Sequence, residues 1–420
     1  MPGMSDDLST GEAGGESVGA DVRLTDPGFL VHGDPAEVLG LADAATAPAG
    51  RLAAAVYRAS AQLHRDAGAG VRRQLLALDA ARYGNPRLSA AITAVPVEGE
   101  AEAPWGLEWA TGSSCEQSFG RPRVGHGDQV TAVATTVVGG RPTAVTAGFD
   151  GRVGLWDLET GQQTGELVGD DGRFWTVGTV LINGRPHAVT GSDWSVRLWD
   201  LTTGQQVGEP LPGIEGEVWT VATVVVDGRP HAVAGDDDTT VRVWDLTTGE
   251  QVGALTGHDA DLVATATMVR DGRPHIVGAM DDGTVWVWDL TTGQQVGEPL
   301  SGIEGEVWTV TTAVVDGRPH AVTAGFDATV RVWDLTTGQQ VGELTGHDGQ
   351  VCAVVSTVVE GLPRAVTGGS DGTVRVWDLT TGRPVGTEWV FPLPVIALAP
   401  APEGRLVVGF GSDVAVLAPR

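Results

Sequence analysis

The dipeptide Trp-Asp occurs six times in this chain at almost constant spacing. The six pairs begin at Trp156, Trp199, Trp244, Trp288, Trp333 and Trp377, which gives intervals of 43, 45, 44, 45 and 44 residues. A period this regular indicates one supersecondary unit that has been copied in tandem. We therefore expect most residues after about position 104 to have a structural role in the repeated unit rather than an individual catalytic or binding role.

Each repeat reads as four short β-strands with no helix between them. In the last complete repeat the four strands are expected, in order, at 350–360, 364–368, 373–378 and 384–390. One such sheet has no core of its own, but radial stacking against copies of itself buries both of its faces. The sequence therefore predicts an all-β propeller over residues 99–420.

The repeats predict a ring of seven blades. After the sixth Trp-Asp unit, three further strands without a Trp-Asp pair are expected at 395–400, 405–410 and 414–418. The sequence Pro-Trp-Gly-Leu-Glu-Trp at 104–109 resembles the outer-strand sequence Pro-Val-Gly-Thr-Glu-Trp at 384–389. We therefore expect a strand near 104–110 to complete the last blade, which also protects the edge of that sheet. An eight-bladed ring is the alternative.

Several recurring motifs resemble the WD-repeat family. They are the closing Trp-Asp pair, the Phe-Asp-Gly or Ser-Asp-Gly turn, and the opening Gly-His pairs Gly125-His126, Gly257-His258 and Gly346-His347. The resemblance covers about 104–420, and it implies seven four-stranded antiparallel blades. Abundant Ala, Gly and Arg without any lysine is typical of a GC-rich bacterial genome, and we expect an actinobacterial source.

The resemblance gives the recurring His, Thr, Asp and Trp residues a structural role. In WD-repeat proteins these positions form a buried hydrogen-bond chain that ties the turn to the third strand. The complete sets are His126, Thr146, Asp150 and Trp156 in repeat one and His347, Thr367, Asp371 and Trp377 in repeat six. The same residue types also resemble a nucleophilic triad. A catalytic site is rarely built twice in one ring, so we interpret both sets as structural.

The other repeats depart from this set. Repeats three and five carry Ile214 and Ile303 in place of the histidine, and repeat two carries Asp170. Repeats three and four have Ala234 and Gly278 in place of the threonine. We expect these blades to rely on apolar packing at those positions, and blade three to be the softest of the six Trp-Asp blades.

Composition disfavours several kinds of chemistry and partner. The chain has 26 positive residues, all of them arginine, and 54 acidic residues, which gives a net charge of -28. Without lysine there is no Walker phosphate loop and no Schiff base, and the negative charge disfavours nucleic acid and anionic membranes. Cys115 and Cys352 form neither a disulfide framework nor a zinc motif, which fits a reducing cytoplasm. The acidic turns lack a calcium-loop pattern, so we expect no metal and no cofactor.

The first hundred residues follow a different pattern. Residues 1–20 are rich in Gly, Ser and acidic residues, so we expect an acidic, disordered tail without a signal peptide. Residues 21–98 show helical periodicity, with an Asp-Pro helix start at 34–35. The stretch 24–60 resembles the helical segment that precedes the propeller in large actinobacterial signal-transducing NTPases. Because this sequence has no nucleotide-binding half, the resemblance implies a stand-alone sensor or scaffold that works in trans on a partner.

The most informative irregularities are tryptophans near the start of the first strand. Three repeats have Trp there, whereas others have Thr131, Val263 or Cys352. In WD-repeat proteins this position lies at the mouth of the central channel, on the face most used for binding. Aromatic residues flanked by carboxylates form a suitable pocket for an Arg or Lys side chain, although the tryptophans could instead only plug the channel. The candidate partner-binding residues are Trp175, Trp219, Trp308, Phe149, Phe326, Asp237, Asp281, Glu217 and Glu306.

Taken together, these patterns predict a non-enzymatic cytoplasmic scaffold or sensor. We expect a monomer that presents one propeller face to a protein partner, in particular to a basic or Arg/Lys-containing surface, and we expect no catalytic residue. One alternative is a propeller-based hydrolase or lyase with a channel-mouth pocket, which requires a convergent polar set at one place in the ring. Another is a structural protein without a dedicated ligand.

Overall fold

A computed structural model describes residues 12–99, 105–116, 118, 123–169, 172–236, 239–301, 303 and 305–419. The chain divides into two compact units. The helical unit comprises the residues up to 101 together with 109–124, and the propeller unit comprises 102–108 together with 125–420.

The helical unit contains seven short helices within the described residues. They are α1 (Glu12–Leu24), α2 (Pro27–His32), α3 (Pro35–Ala42), α4 (Pro48–Ala59), α5 (Ala61–His64), α6 (Ala69–Arg82) and α7 (Pro86–Thr93). Local capping chemistry sets several of their starts. The Asp34 side chain accepts hydrogen bonds from two backbone N–H groups of α3, whose first residue is Pro35, and Asn85 caps α7 in a similar way. The fully buried core of the unit includes Leu24, Leu30, Val31, Val38, Val56, Tyr57, Leu76 and Ile92.

The structure departs from the expected disorder at the N-terminus. Helix α1 begins at Glu12, and Ala20 and Leu24 at its C-terminal end are buried. A Gly-rich, acidic segment cannot fold alone, but apolar contacts one turn apart hold it as a helix when a core is present. The expectation of disorder is therefore wrong for residues 12–20, whereas residues 1–11 lie outside the described part of the chain.

The propeller unit is built from 29 strands and one short 3₁₀ turn at Pro402–Gly404 within the described residues. The strands are β1 (Trp105–Ala110), β2 (Val130–Val138), β3 (Arg141–Gly148), β4 (Arg152–Asp157), β5 (Gln163–Val168), β6 (Phe174–Ile182), β7 (Arg185–Ser192), β8 (Val196–Asp200), β9 (Gln205–Gln206), β10 (Thr220–Val226), β11 (Arg229–Gly235), β12 (Val241–Asp245), β13 (Glu250–Leu255), β14 (Leu262–Arg270), β15 (Arg273–Met280), β16 (Val285–Asp289), β17 (Gln294–Gln295), β18 (Val307–Val315), β19 (Arg318–Gly325), β20 (Val330–Asp334), β21 (Gln339–Leu344), β22 (Val351–Val359), β23 (Leu362–Gly369), β24 (Thr373–Asp378), β25 (Arg383–Pro384), β26 (Trp389–Val390), β27 (Val395–Pro400), β28 (Leu406–Phe410) and β29 (Asp413–Pro419).

These strands form seven antiparallel blades, as the repeat predicted. Blades one to five are β2–β5, β6–β9, β10–β13, β14–β17 and β18–β21; blade six is β22–β25 with β26 also paired to β24. The first strand of each blade contacts the first strands of its two neighbours, and β27 of the last blade contacts β2 of the first. The seven sheets therefore close into a ring around the first strands.

Blade seven takes its outer strand from the N-terminal side of the propeller. Its strand order is β27-β28-β29-β1, so β1 occupies the fourth position. The Trp105 indole N–H donates to the Gly404 carbonyl oxygen at 2.9 Å, and the Trp389 indole N–H of blade six donates to the Trp105 carbonyl oxygen at 3.0 Å. These bonds hold the closing strand between two blades.

The Trp-Asp pairs stabilise the packing between blades and one turn within each blade. Trp199 of blade two packs in a cluster with residues of blade one, and Trp244 of blade three packs with residues of blade two. The Asp157 carboxylate accepts backbone hydrogen bonds at the turn after β4 and pairs with Arg141 at 3.1 Å. Burial alone would raise the pKa of Asp157, but the backbone and Arg141 hydrogen bonds outweigh burial and lower it.

A ring of hydroxyl groups also connects the first strands. Each member of this hydroxyl ring donates to a main-chain carbonyl of the preceding blade at the equivalent position. The printed bonds, at 2.6 to 2.9 Å, are Thr135 to Pro400, Thr179 to Thr135, Thr223 to Thr179, Thr312 to Thr267 and Ser356 to Thr312. The inner edge of each first strand is the edge of its sheet, so most of its carbonyl groups have no neighbouring strand to pair with. The hydroxyl groups donate hydrogen bonds to some of these carbonyls.

Candidate functional site

The His, Thr, Asp and Trp residues of blade one lie in one buried chain of hydrogen bonds. His126 Nδ1 lies 3.0 Å from Asp150 Oδ1, and its Nε2 lies 2.8 Å from Thr146 Oγ1. The Trp156 indole N–H donates to the same hydroxyl oxygen at 2.8 Å. With Nδ1–H donating to the carboxylate, the hydroxyl donates to Nε2 and accepts from the indole, so every group is satisfied internally.

Blade six repeats this arrangement. His347 lies 3.0 Å from an Asp371 carboxylate oxygen and 2.8 Å from Thr367 Oγ1, and Trp377 donates to that hydroxyl at 2.9 Å. Burial alone would raise the pKa of Asp371, but hydrogen bonds from His347 and the Thr373 backbone hold it well below its usual range. Both sets are buried and saturated, which gives them a stabilising role.

Blades that lack the threonine satisfy the indole in another way. Trp244 of blade three donates to the Pro212 carbonyl oxygen at 3.0 Å, and Trp288 of blade four donates to the Thr256 carbonyl oxygen at 3.3 Å. Ile214, Ala234 and Ile303 pack in apolar clusters as expected, and the loop carbonyls in addition accept the indole hydrogen bonds of blades three and four. A buried indole N–H without an acceptor costs on the order of 1–3 kcal/mol, so the loop carbonyl replaces the missing hydroxyl.

The channel-mouth residues are placed by a β-bulge that recurs around the ring. We use this name for Thr131, Trp175, Trp219, Val263, Trp308, Cys352 and Ile396, one from each blade. In every blade except blade three, the register between the first and second strands shifts across this residue. A bulge leaves the extra residue outside the pairing and redirects its side chain. In six of the seven blades the bulge therefore turns one side chain away from the packed sheet faces.

All seven channel-mouth residues line one cavity of about 560 Å³. Because they come from all seven blades, the cavity lies where the first strands surround the central channel. The other described residues of its lining are Gln129, Phe149, Glu217, Asp281 and Glu306. The volume is within the range of about 300–1,000 Å³ that is typical of ligand pockets.

Each tryptophan of the mouth donates its indole N–H to a carboxylate. Trp219 donates to Glu217 at 3.1 Å and Trp308 to Glu306 at 2.9 Å, in both cases two residues earlier in the chain. Trp175 donates to Asp193 at 2.8 Å. A carboxylate oxygen pair has about four acceptor sites, so each carboxylate keeps capacity for a further donor. The indole rings are thereby fixed in orientation while the site stays anionic.

Two phenylalanines extend the aromatic surface. Phe149 lines the cavity and meets Trp175 edge-to-face at 4.7 Å between ring centroids. Phe326 lies beside Trp308 at 6.3 Å and is 57% exposed, but it is not part of the lining. Asp237 lies outside the described residues. The structure thus brings together seven of the nine predicted residues in one lining, with Phe326 adjacent to it.

Sequence reasoning missed three contributors to this site. Gln129 and Ile396 line the cavity, and Asp193 holds Trp175. Alignment of each repeat on its first strand would have found the first two. Asp193 lies in a turn that is one residue shorter than its counterparts, so it falls out of such an alignment.

The cavity does not offer an activated nucleophile. Burial raises the pKa of the Cys352 thiol to about 11, so this thiol is protonated at neutral pH. No histidine is among the described residues that line the cavity. Within the described part of the chain, no group of three or more His, Cys, Asp or Glu side chains could hold a metal ion. None of the described helices is long and apolar enough to cross a membrane.

Three segments of the propeller match the family model "WD domain, G-beta repeat", at residues 205–245, 249–289 and 338–378. Each segment begins at the outer strand of one blade and ends on the Trp-Asp pair of the next. Together with the ring of seven four-stranded blades, these matches support a WD-repeat β-propeller. Such propellers generally act as scaffolds for interactions between proteins. A search among curated proteins gives no match to the chain.

Proposed function

We propose that this protein is a non-enzymatic scaffold or sensor whose channel mouth receives an Arg or Lys side chain of a protein partner. One observation carries the proposal. The cavity is lined by three tryptophans and three carboxylates, and no described residue of its lining is cationic. Aromatic faces attract a cation within about 6 Å, and the carboxylates supply the opposite charge.

Preorganisation favours binding over simple plugging of the channel. Trp308 is 38% exposed and its ring is fixed by Glu306, so an aromatic face is presented to solvent without further ordering. A side chain that enters such a site loses less free energy to rearrangement of the protein. Aromatic anchors of this kind dominate the energetics of many protein interfaces.

The hydrolase alternative finds less support. Gly-Gly-Ser-Asp-Gly at 368–372 matches the Gly-x-Ser-x-Gly pattern by letter, but it joins strands β23 and β24. A nucleophile elbow requires a strand-to-helix turn. The Asp371 of this turn is already engaged with His347. These residues therefore support a structural turn in an interaction module.

The sensor part of the proposal rests on the helical unit. Residues 24–60 resemble the segment that precedes the propeller in actinobacterial signal-transducing NTPases, which supports a bacterial, cytoplasmic protein that acts in trans on such a partner. The net charge of -28 supports a protein partner with a basic surface and disfavours nucleic acid.

A random peptide library selected on the full chain tests the proposed function. We expect enriched peptides to contain Arg or Lys, and replacement of Arg by the neutral isostere citrulline to weaken binding at least about tenfold. The double variant Trp219→Ala, Trp308→Ala should lose these peptides. Trp194→Ala is the matched control, because Trp194 is 64% exposed but does not line the cavity.

The proposal is contradicted if the double variant, with an unchanged circular dichroism spectrum, binds the selected peptides as tightly as the wild type. It is also contradicted if the enriched peptides carry no basic residue. Loss of binding in Trp194→Ala alone would place the site elsewhere.

A further inference from the structure

Charge is distributed unevenly around the channel mouth. Each blade contributes one rim residue, which we define as the residue two positions before its channel-mouth residue. From blade one to blade seven the rim residues are Gln129, Arg173, Glu217, Asp261, Glu306, Gln350 and Pro394. Blades three to five therefore form an acidic arc, to which Asp281 of blade four adds a fourth carboxylate. Blades six, seven and one carry no charge at the rim.

A second cavity lies at the uncharged part of the rim. This seam groove, of about 390 Å³, is lined by Gly127, Asp128, Gln129, Leu393, Pro394, Ile396, Gly411 and Ser412. Gln129 and Ile396 also line the channel-mouth cavity. The two cavities are therefore adjacent, and the groove lies between the mouth and the seam of blades seven and one.

The seam groove exists because blade seven departs from the repeat. Leu393 occupies a position at which the other blades have Asp, Gly or Ala. It packs directly over Gly411, where an added Cβ would lie 2.4 Å from a Leu393 methyl carbon. The Gly411 carbonyl oxygen accepts a hydrogen bond from the Val130 backbone N–H of blade one at 2.7 Å. The groove floor is thus fixed by the closure of the ring.

One wall of the groove is apolar and accessible, and the exposed Asp128 adds a carboxylate to the same lining. Leu393 is 41% exposed, Pro394 is also exposed, and Ile396 is half-buried. An aliphatic side chain placed here would remove apolar surface from water on both sides. The acidic arc, by contrast, repels anionic groups and attracts a cation. The two ends of the combined surface therefore favour two different kinds of side chain.

We infer that the ligand of this face is an extended polypeptide segment that carries a cationic and an aliphatic side chain at a fixed spacing. The cationic side chain enters the mouth over the acidic arc, and the aliphatic side chain occupies the seam groove. This inference rests on the proposed function, because the first of its two subsites is the channel mouth. The adjacency of the cavities and the apolar wall at one end of the combined surface favour a linear segment over an isolated cation.

A series of defined peptides tests the second subsite on the full chain. The probes are acetyl-Gly-Arg-(Ser)n-Leu-Gly-amide with n from 1 to 5, each paired with a peptide in which Ser replaces Leu. At one spacing we expect the Leu peptide to bind about tenfold more tightly than its Ser partner. Leu393→Ser should abolish this advantage and leave the binding of the Ser peptides unchanged.

Leu362→Ser provides the matched control. Leu362 is 42% exposed, against 41% for Leu393, and begins the second strand of blade six far along the strand from the mouth. This variant should keep the advantage of the Leu peptide. A citrulline version of every probe reports on the mouth alone.

The outcomes separate the two proposals. If Leu and Ser peptides bind equally at every spacing while citrulline peptides bind more weakly, the seam groove is not a subsite and the proposed function stands. If citrulline peptides bind as well as Arg peptides, or if no probe binds at millimolar concentration, the proposed function fails and this inference fails with it. An equal effect of Leu393→Ser and Leu362→Ser would also overturn the seam groove.

Discussion

Blades six and four open with the same Gly-His pair but use the histidine differently. In blade six, both ring nitrogens of His347 have partners, because Asp371 and Thr367 lie within 3.0 Å. In blade four, the buried Nε2 of His258 has no hydrogen-bond partner in the described structure. The same residue at the same position of the repeat is therefore fully satisfied in one blade and half satisfied in another.

The loss of a single hydroxyl group explains the difference. Blade four has Gly278 where blade six has Thr367. Neither the Trp288 indole nor the His258 imidazole therefore has a threonine hydroxyl as its hydrogen-bond partner. His258 Nδ1 lies 3.0 Å from the Ala260 carbonyl oxygen, and the ring packs edge-to-face on Trp288 at 5.6 Å. A histidine that matches the motif can thus lack its hydrogen-bond partner. Its contribution to stability depends on the residue at the threonine position rather than on the motif itself.

Replacement of each histidine by leucine should show the largest effect. Since His347→Leu removes one hydrogen bond from the Asp371 carboxylate and one from the buried Thr367 hydroxyl, we expect it to lower the free energy of unfolding by about 3 kcal/mol. His258→Leu removes a half-satisfied ring and should cost less than about 1 kcal/mol. Denaturant unfolding of the full chain, followed by circular dichroism, measures both. Equal losses of unfolding free energy in the two variants would show that the threonine hydroxyl does not determine how much the histidine contributes to stability.

A third buried histidine extends the comparison to the helical unit and to pH. His64 has an unpaired Nδ1, lies 4.4 Å from the Tyr57 ring and is fully buried, and this burial lowers its pKa to about 4. The unfolded state takes up a proton near pH 6.5, whereas the folded state does so only near pH 4. Stability is therefore complete above pH 6.5 and falls by about 3 kcal/mol between pH 6.5 and 4.

Hydrogen exchange of α4 and α6 as a function of pH measures this loss, and His64→Phe should remove it. The aspartates of the blades affect stability in a different pH range. Because the pKa of Asp371 is lowered in the folded state, its contribution is present above the ordinary Asp value of 3.8 and is lost only as the pH falls below that value. A helical unit that is equally stable at pH 4.5 and 7 would contradict the assignment of His64.

Much of the fold could be predicted because period and pattern fix it. Six Trp-Asp pairs give the blade boundaries, and the likeness of 104–109 to 384–389 indicated the strand that occupies the outer position of blade seven. Seven of the nine candidate residues also line one cavity, since equivalent positions of a repeat must lie on one circle. The position of Trp175, Trp219 and Trp308 at the channel mouth could be predicted from the repeat pattern alone.

Other features depend on tertiary contacts that no pattern shows. The bulge at the channel-mouth residues follows from strand register, which one added residue changes without any change in composition. The backbone acceptors Pro212 and Thr256 carry no side-chain signal for the hydrogen bonds they accept. Helix α1 was missed because its stability comes from packing, whereas its Gly-rich sequence favours disorder.

The hydroxyl ring gives a smaller test of the same principle on adjacent residues. Thr135 Oγ1 donates to the Pro400 carbonyl oxygen at 2.8 Å, whereas Thr136 next to it has no side-chain hydrogen bond in the described structure. We expect Thr135→Val to cost about 1 kcal/mol and Thr136→Val to be nearly neutral. Thermal unfolding of the two variants compares them, and a larger loss for Thr136→Val would rule out the hydroxyl ring as the cause.

Blade three gives the smallest and most discriminating comparison with blade six. It lacks both histidine and threonine, but its indole is satisfied by Pro212 and a buried ion pair joins Asp236 to Arg242 at 2.8 Å. Buried ion pairs add little net stability because desolvation offsets their attraction. We therefore still expect β10–β12 to exchange amide hydrogens faster than β22–β24.

Ala234→Thr returns the missing hydroxyl to blade three. The position is equivalent to Thr367 of blade six, since Ala234 and Thr367 each pair across the sheet with an arginine, Arg242 and Arg375. Without a histidine the hydroxyl gains only the indole as a donor, and Trp244 would have to leave its present acceptor. We expect a gain of less than about 1 kcal/mol and a slight slowing of exchange in β11 and β12. If wild-type blade three is already as protected as blade six, the loop carbonyl fully replaces the side-chain network, and the repeat tolerates loss of its motif without any local softening.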